Sequence, residues 1–545
     1  MSAKISVGEQ LAILLEKVGV QSAFGVISIH NMPFLDAIGR RDKIEFICAR
    51  GEAGALNMAD GYARASGTLG VAFTSTGTGA GNAAGALVEA SVAGTPLLHI
   101  TGQVELPFLG RNCGYIHEAR DQLLMLRAVS KSAYSIETEA SALGVFRKAI
   151  REALTAPMGP VSVEVPIDIQ HGLVESGKIE PLQVNDIVPN NEDIDELASM
   201  LERAKRPLLW VGGGARHAQP EVQKLVEMGF GVVTSIQGRG IVPEGDDCSL
   251  GAYNFYPKIE EFYQTCDAML VVGSRLRGNE TLKYKLTLPS PLYQVDVDPT
   301  LSKRPYQPVK TIIGDSKLVL SKLVAKLGNR MNIDENFWSE IKNVRQISME
   351  NLSKNFIQPY ENLVSAIQAS NGGDFVWVRD VTISNSTWGN RAIHIKSPKD
   401  GLHAVGGGIG QGLQMAIGAA IADRRRKVVC LVGDGGLQLN IGEMVTAAEE
   451  NANITMILMN SRDYEVIKNI QDAAFEGRKF FADIKSPEFG ALAESFGWSY
   501  LNLNDIGNSS RVISEAISID GPSLVEVDMQ SIGSYAKAFG GPPTR

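Results

Sequence analysis

The segment from residue 427 to residue 471 restricts the possible folds of this chain more than any other. It contains two apolar runs, Val428–Val432 and Ile454–Met459, which are typical of buried parallel strands. A helical pattern over Leu437–Asn451 connects the two runs. In a parallel βαβ unit both strands present their carboxyl ends at the same edge of the sheet. We therefore expect an α/β fold in which the residues that follow the two runs lie side by side.

The residues at this edge are Gly433-Asp434-Gly435-Gly436 after the first run and Asn460 after the second. Glycines let backbone N–H groups approach a phosphate, and a helix N-terminus favours its negative charge. A carboxylate and an amide oxygen are ligands of the kind that Mg²⁺ uses when it bridges a diphosphate. The residues therefore predict a seat for a metal-bound diphosphate. A plain glycine turn with a helix-capping Asp434 stays an alternative, whereas a dinucleotide site is disfavoured because Gln438 replaces the third glycine of G-x-G-x-x-G.

Three segments of the chain resemble those of one enzyme family. Gly433-Asp434-Gly435, followed by Asn460 at the end of the next strand, resembles the GDG…N signature of thiamine-diphosphate enzymes. Glu52 and the small residues 53–67 are similar to the segment that carries the catalytic glutamate of that family, and Thr76–Asn82 is similar to its G-P-G-x-x-N turn. Over nearly its whole length the chain resembles the acetolactate synthase and 2-oxo acid decarboxylase type of these enzymes.

The resemblance implies an α/β fold with three doubly wound parallel-sheet domains. The length of 545 residues agrees with about three to four domains of roughly 150 residues each. Residues 176–192 are polar and residues 328–356 are charged, so both stretches are expected to be linkers. We expect a pyrimidine-binding domain at 1–175, a central domain at 190–330, a domain for thiamine diphosphate and Mg²⁺ at 355–535, and a tail at 536–545.

Composition excludes several functional classes. The formal net charge of −9 argues against a protein that binds nucleic acid or a membrane surface. No apolar run approaches the roughly 20 residues of a membrane span, and the first residues lack the core of a signal peptide. The five cysteines are scattered and form no C-x-x-C pair, which argues against a disulfide framework and a zinc site. We therefore expect a cytoplasmic protein with reduced thiols.

The resemblance implies that two residues activate and shape the cofactor. Glu52 would form a hydrogen bond with the aminopyrimidine ring and so favour the tautomer that removes the thiazolium C2 proton. Burial would raise the pKa of its carboxyl group, which could then carry a proton when needed. The alternative for Glu52 is an acid in the first turn of a helix that offsets the dipole. Ile409 is the one bulky apolar residue of the glycine-rich stretch 406–412 and would force the cofactor to bend. The alternative for Ile409 is an ordinary core residue.

The resemblance also implies a set of residues for the metal and the diphosphate. Asp434 and Asn460 would bind Mg²⁺, with the main-chain carbonyl of Arg462 as a third ligand. Asn385 and Ser386, in the expected loop after Asp380, would donate to the diphosphate, although a plain turn is nearly as consistent with the sequence. The chain departs from the common family pattern at two places, Met459 and Gly436, where relatives often carry Asn and Ser. The remaining residues expected to contact the cofactor are Asn82, Gly433, Gly435, Gly436 and Tyr464.

Residues on the substrate side follow less directly from the sequence. His30, at the end of a strand, and His117 with Glu118, where relatives keep polar groups over the thiazolium, are candidates for proton relay. Each histidine has an ordinary structural role as its alternative. Asp463 and Glu465 are candidates to recognise a cationic substrate tail, but we expect them to be solvated acids at the start of a helix.

The function implied by the resemblance is the decarboxylation of a small-molecule 2-oxo acid to an enamine. The enamine would be protonated to give an aldehyde or joined to a second carbonyl, as in acetolactate synthase. The site would lie between the first domain of one subunit and the third domain of another, in a homodimer or homotetramer. Two alternatives stay open: a 2-hydroxyacyl-CoA lyase or oxalyl-CoA decarboxylase, favoured by His117-Glu118-x-x-Asp121-Gln122, and a non-catalytic cofactor-binding regulator. FAD in the central domain is left undecided by the sequence.

Overall fold

The chain folds into three successive parallel sheets, each flanked by helices, in a computed structural model that describes residues 4–300, 303–328 and 330–541. This architecture confirms the expected fold class. The expected domain boundaries at 175, 190, 330, 355 and 535 stay predictions. The last residues of the expected tail, 542–545, lie outside the described residues.

The first domain is built on a six-stranded parallel sheet of order β3-β2-β4-β5-β7-β6, while β1 and β8 form a separate antiparallel pair. Its strands are β1 (Lys4–Ser6), β2 (Ser22–Gly25), β3 (Glu45–Cys48), β4 (Gly70–Thr74), β5 (Leu97–Gln103), β6 (Ser132–Ser135), β7 (Pro160–Pro166) and β8 (Leu173–Glu175). Its helices are α1 (Val7–Val18), α2 (Met32–Arg41), α3 (Glu52–Ser66), α4 (Thr78–Ala93), α5 (Gln122–Val129), α6 (Glu139–Leu154) and α7 (Ile167–His171). The strand order reverses between β2 and β4, which opens a crevice at their carboxyl ends.

The central domain has a five-stranded parallel sheet of order β10-β9-β11-β12-β13. Its strands are β9 (Pro207–Val211), β10 (Gly231–Thr234), β11 (Ala268–Val272), β12 (Leu292–Asp296) and β13 (Lys310–Ile313). Its helices are α8 (Asn191–Leu201), α9 (Gln219–Glu227), α10 (Pro257–Tyr263) and α11 (Ser316–Leu327). Here the order reverses between β9 and β11.

The charged stretch that was expected to be a simple linker is largely helical. It forms α12 (Phe337–Leu352), which continues into a π-helical turn, Ser353–Ile357. Phe337, Ile341 and Leu352 are buried, and their spacing places them on one face of the helix. The many charged residues therefore cover the outer face of a packed helix, which charge density alone did not reveal.

The third domain has a six-stranded parallel sheet of order β15-β14-β16-β17-β19-β18. Its strands are β14 (Val376–Arg379), β15 (Gly401–His403), β16 (Val428–Gly433), β17 (Ile454–Asn460), β18 (Ser499–Leu503) and β19 (Ser523–Asp528). Its helices are α13 (Glu361–Ala369), α14 (Gly412–Ala422), α15 (Asp434–Leu439), α16 (Glu443–Glu449), α17 (Glu465–Ala474), α18 (Phe489–Ser495), α19 (Ser509–Ser518) and α20 (Met529–Ile532).

The single helix expected over Leu437–Asn451 is wrong, because the structure divides it into α15 and α16. Helix α15 also begins earlier, at Asp434. The break falls at Asn440, whose side-chain Nδ2 donates to the carbonyl of Gly410 at 2.9 Å. This contact comes from a distant loop, so helical periodicity within the segment gives no sign of it.

The first and third domains of one chain pack closely through α3 and α14. A Cβ on Gly61 would lie 2.6 Å from the Cα of Met415, and a Cβ on Gly418 would collide with the carbonyl of Met58. The two helices therefore meet backbone to backbone, as the small residues of α3 allow. This packing fixes the position of Glu52, the first residue of α3, relative to the third domain.

Candidate functional site

Asp434 and Asn460 lie together at the carboxyl edge of the third sheet. Strands β16 and β17 pair in a register that places Gly433 opposite Met459. Asp434 and Asn460, which follow these two residues in the chain, are therefore adjacent. The hydroxyl of Ser486 is 3.0 Å from Asp434 Oδ2 and 3.3 Å from Asn460 Oδ1. Both side chains are buried, and burial raises the pKa of Asp434. Two oxygen ligands of the type that Mg²⁺ prefers therefore converge on one point.

The orientation of Asn460 is set by a neighbouring acid. Its Nδ2 donates to Glu526 Oε1 at 2.6 Å, which turns Oδ1 towards Ser486. Glu526 in turn accepts a hydrogen bond from the hydroxyl of Tyr500 at 2.7 Å. Neither Glu526 nor Ser486 was expected from the sequence, since both lie far from the GDG turn along the chain.

Arg462 and Tyr464 occupy the loop after β17. Arg462 has a left-handed backbone with φ +60°, and its carbonyl accepts a hydrogen bond from the N–H of Ile484 at 3.3 Å. Tyr464 lies against the glycine turn, because a Cβ on Gly435 would be 2.5 Å from its ring. The structure thus brings both residues to the Asp434 edge, while the metal-binding role of the Arg462 carbonyl stays a prediction.

Asp380, at the end of β14, holds the loop that carries Ile409. Its carboxylate accepts hydrogen bonds from the N–H groups of Gly410 at 2.9 Å and Val381 at 2.7 Å. Burial raises the pKa of Asp380 to about 6. Ile409 is 38% exposed in the single chain, so it is not the core residue that was its alternative. Asp380 was not expected as a site residue, although acids at strand ends are a known signal in α/β folds.

Asn385 and Ser386 were expected to lie in a loop. In the structure they instead begin a π-helical turn, Asn385–Gly389. Asn385 Nδ2 lies 3.3 Å from His403 Nδ1. The amide oxygen of Asn385 is buried and has no hydrogen-bond partner within the described ranges. A buried polar atom without a partner is costly, so this oxygen is available for a ligand.

In the first domain the structure brings Glu52 and Asn82 together. Asn82 Nδ2 donates to Glu52 Oε2 at 3.1 Å. A Cβ on Gly79 would lie 2.7 Å from Glu52 Oε1, so a glycine in the first turn of α4 makes room for the acid. Glu52 is the first residue of α3, where the helix dipole favours a negative group, and Asn82 lies in the second turn of α4.

The two histidines lie close together beside this pair. The rings of His30 and His117 are 5.4 Å apart between centroids, and His117 Nδ1 is 3.4 Å from Thr78 Oγ1. Burial, with a smaller contribution from His117, lowers the pKa of His30. Glu118 does not join them, because its carboxylate accepts hydrogen bonds from the N–H groups of Gly114 and Tyr115 in its own turn. Glu118 therefore closes a local turn in this structure.

A buried amide network supports the glycine turn before α4. Gln122 Oε1 accepts a hydrogen bond from the N–H of Gly77 at 2.7 Å, and its Nε2 donates to Glu164 at 3.1 Å. Gly77 has φ +57°, and a Cβ there would collide with the carbonyl of His117. A glycine is therefore required where the turn passes the His117 backbone.

Glu465 differs from its expected state. It is partly buried, and its pKa is raised to about 7 by burial first and then by the charges of Asp463 and Asp434. Asp463 instead forms an ion pair with Lys468 at 2.8 Å. The expectation of a solvated acid is thus wrong for Glu465, whose side chain is partly withdrawn from water at the start of α17.

The central domain has a cavity of about 520 Å³ that extends to the first domain. It lies at the carboxyl ends of β9 and β11, where the strand order reverses and α/β proteins bind ligands. Its lining includes Gly213, Gly214, Arg216, Ser274, Arg275 and Asp296. Backbone glycines, basic groups and an acid at a strand end are suited to a nucleotide.

Within the described residues, no hydrogen bond joins the Glu52–Asn82 pair to the Asp434–Asn460 pair. Exposed apolar side chains accompany both pairs. Ile27, Ile29 and Ile116 are 59%, 56% and 60% exposed near the histidines along the chain, and Leu439 and Ile467 are 56% and 48% exposed near the metal edge. None of the helices in the described parts of the chain has the length and apolar content of a membrane span.

Comparison with known proteins gives matches along the whole chain. Three family models of thiamine pyrophosphate enzymes match in order: the N-terminal TPP binding domain at 5–125, the central domain at 194–323 and the C-terminal TPP binding domain at 382–527. The acetolactate synthase isozyme 1 large subunit of Escherichia coli K12 is 28% identical over 536 residues, which cover 95% of this chain and 93% of the relative. The acetolactate synthase large subunit of Haemophilus influenzae is 28% identical over 548 residues, covering 96% and 94%. A probable acetolactate synthase large subunit of Methanococcus aeolicus is 26% identical over 551 residues, covering 95% and 91%.

Proposed function

Because this chain belongs to the thiamine pyrophosphate enzymes of the acetolactate synthase type, we propose that it decarboxylates a 2-oxo acid with thiamine diphosphate and Mg²⁺. The remaining acyl unit is released as an aldehyde or joined to a second carbonyl. The single observation that supports this most is the convergence of Asp434 Oδ2 and Asn460 Oδ1 on one hydroxyl, at the edge of the sheet where the GDG turn lies.

The metal and the diphosphate fit the third domain. Asp434 and Asn460 would bind Mg²⁺, together with the carbonyl of Arg462. Gly435 and Gly436 lie in the first turn of α15, where the N–H groups of a helix have no partner within the helix. A Cβ at either position would approach Tyr464 or Asp380 within 3 Å, so the backbone can pass here only as glycine. Ser486 occupies the point where the two oxygens meet, so its hydroxyl must turn away or join the ligands when the metal binds.

When bound, thiamine diphosphate supplies a thiazolium ring that accepts the electron pair released by decarboxylation. Glu52 would hydrogen-bond the aminopyrimidine ring, and Asn82 orients its carboxyl. Ile409, projecting from the loop that Asp380 holds, would support the bent cofactor. His30 and His117 would move protons at the substrate, for which the lowered pKa of His30 favours the neutral form.

The active site would form between two subunits. In the part of the single chain that the structure describes, no hydrogen bond joins the Glu52 pair to the Asp434 pair, and exposed apolar side chains accompany both. Burial of these side chains against a second copy would remove apolar surface from water. We propose a homodimer or homotetramer, located in the cytoplasm, in which Glu52 of one subunit serves the metal edge of the other.

A second candidate function is supported by the cavity in the central domain. At about 520 Å³ and at a reversal of strand order, it is suited to the nucleotide part of a CoA ester. A 2-hydroxyacyl-CoA lyase or oxalyl-CoA decarboxylase would use such a site. FAD is a further proposed occupant of the same cavity, and a yellow purified protein would reveal it.

A screen for CO₂ release over aliphatic, aromatic and guanidino 2-oxo acids, with identification of the products, tests the proposed function. We expect CO₂ from at least one acid, together with an aldehyde or a coupled hydroxy-ketone product, and loss of this activity in Glu52→Gln. Cleavage of a 2-hydroxyacyl-CoA without CO₂ release from any 2-oxo acid would instead establish the second candidate. Cofactor binding without turnover of either kind would leave the protein as a non-catalytic regulator and overturn the proposal.

A further inference from the structure

A second, larger cavity lies where the central domain, the third domain and the C-terminal segment 535–541 meet. Its volume is about 670 Å³, within the range of roughly 300–1,000 Å³ that is typical of small-molecule sites. Four aromatic side chains contribute to its wall: Phe255, Tyr256, Phe356 and Phe539. Ser386 and Gly407, which also line it, place the cavity beside the loops that lead to the proposed cofactor site.

Arg391 is the central polar feature of this cavity. It is only 9% exposed, and its Nε donates to the carbonyl of Ala252 at 3.0 Å. The guanidinium carbon lies 4.7 Å from the ring centroid of Phe255 and 5.7 Å from that of Tyr256. Its two terminal amino groups have no hydrogen-bond or ion-pair partner in the described ranges. A buried guanidinium with free donors is costly to keep, but it is already placed to bind a carboxylate or phosphate through two parallel bonds.

A second cation comes from the C-terminal segment. Lys537 Nζ lies 5.8 Å from the ring centroid of Phe356, and Lys537 has no ion pair among residues 4–300, 303–328 and 330–541. Its backbone is anchored, because the N–H of Lys537 donates to Asn355 at 3.0 Å and that of Ala536 donates to Gln358 at 3.1 Å. The lysine is thus attached to the cavity wall.

The other charged groups of the lining already have backbone partners. Arg277 donates to the carbonyl of Val405 at 2.7 Å. Glu280 accepts a hydrogen bond from the N–H of Ile236 at 2.6 Å, and Glu260 accepts one from the N–H of Thr287 at 3.0 Å. Burial raises the pKa of Glu280, while the charges of Arg277 and Arg391 lower it, so Glu280 faces Arg391 electrostatically without a hydrogen bond or ion pair to it. The unpartnered amide oxygen of Asn385 belongs to the same lining.

We propose that this cavity binds an aromatic or similarly planar carboxylic acid, held at its carboxylate by Arg391 and Lys537 and packed along the four aromatic side chains. An acid of this kind has two possible sources. It is either the reacting 2-oxo acid itself or a separate effector that binds beside the active site. The first of these interpretations rests on the proposed function. A small aliphatic acid would fill only a minor part of 670 Å³.

Isothermal titration calorimetry on the full chain, with 3-phenylpropionate as a probe that has no oxo group, tests the site independently of turnover. We expect binding to the unchanged protein, and binding about tenfold weaker in Lys537→Ala and in Arg391→Gln, because each loses a charged hydrogen bond. Arg391→Lys keeps the charge but cannot form the two parallel bonds. Its affinity for 3-phenylpropionate should therefore lie between that of the unchanged protein and that of Arg391→Gln. Lys354→Ala, an exposed lysine beside Phe356, is the matched control and should bind as before.

Steady-state kinetics with phenylpyruvate separates the two sources. If the site belongs to the substrate, 3-phenylpropionate competes with phenylpyruvate and Lys537→Ala raises KM. If it belongs to an effector, the probe changes kcat without competing. No binding of 3-phenylpropionate, or equal binding in Lys537→Ala and Arg391→Gln with an unchanged circular dichroism spectrum, would overturn the proposal. Absence of turnover would count against the proposed function alone, since the calorimetric result does not depend on it.

Discussion

The carboxylate of Glu443 accepts hydrogen bonds from the backbone N–H groups of Gly51 and Arg50, both at 3.1 Å. These two residues directly precede Glu52 in the chain. Glu443 belongs to the third domain and Gly51 to the first. A reverse contact joins Glu89 of α4 to the N–H groups of Val405 and Gly406, both at 2.6 Å, shortly before Ile409. Two buried glutamates thus hold, across one domain contact, the loops that carry the proposed acid and the proposed wedge.

We expect Glu443→Gln to lower turnover about 10–100-fold, because a small displacement of Glu52 has a large effect on a catalytic group. The amide keeps the volume of the side chain but replaces one acceptor oxygen with a donor that faces backbone N–H groups. The free energy of unfolding should fall by about 1–3 kcal/mol. Steady-state kinetics and denaturant unfolding measure the two effects.

Glu221→Gln is the matched control for Glu443. Glu221 is also buried, at 7% exposure, and accepts a hydrogen bond from Ser321 at 3.2 Å, but it lies in the central domain. Its replacement should lower stability without a comparable loss of kcat. Full turnover in Glu443→Gln would contradict the positioning role.

Asp434→Ala and Asn460→Ala should each remove Mg²⁺-dependent binding of thiamine diphosphate. The reason is that the two oxygens converge on one point, so the loss of either leaves an incomplete ligand set. Calorimetric titration of thiamine diphosphate with and without Mg²⁺ measures the effect. Asp472→Ala, an acid on the surface of α17, should bind as the unchanged protein does; unaltered Mg²⁺ dependence in Asp434→Ala would rule out the metal assignment.

Ile409→Ala should reduce turnover while thiamine diphosphate still binds. Because Ile409 is 38% exposed in the single chain, its truncation should change the free energy of unfolding by less than about 1 kcal/mol. Ile409→Leu keeps a bulky apolar group and should retain most of the activity. Comparison of kcat with the dissociation constant of the cofactor checks this, and equal kcat in the Ala and Leu variants would argue against a wedge.

Glu465 should make stability depend on pH in the metal-free protein. Its pKa is raised from 4.5 to about 7, so the folded state binds the proton more tightly than the unfolded state does. Its contribution to stability is therefore complete below pH 4.5 and is lost as the pH rises through 7. Relative to the unchanged protein, Glu465→Gln should gain about 1–2 kcal/mol between pH 5 and pH 8, after allowance for partial exposure.

Denaturant unfolding at four pH values between 5 and 8 measures this gain. Glu476→Gln is the matched control, since its side chain is 84% exposed and also lies beyond β17. A stability difference between Glu465→Gln and the unchanged protein that stays constant over this range would contradict the raised pKa.

Much of the fold followed from local patterns. Apolar runs gave the strands β16 and β17, and parallel pairing then required Asp434 and Asn460 to be neighbours, as the register shows. The family resemblance rests on the same residues together with the segment around Glu52, and it is confirmed by the three matching family models. These features are contained in short stretches, so no knowledge of distant contacts is needed to find them.

The break in the expected helix at Asn440, the π-helical turn at Asn385 and the burial of Glu465 were decided elsewhere in the chain. So were the positions of Ser486, Asp380, Glu89 and Glu443, which lie against the site through contacts with residues far away in sequence. The sequence by itself determined which segments form strands and helices and which residue types meet at a sheet edge, because periodicity and turn chemistry act over a few residues. Only the tertiary structure decided which buried carboxylates hold the functional loops, because a hydrogen bond between domains depends on how whole helices pack.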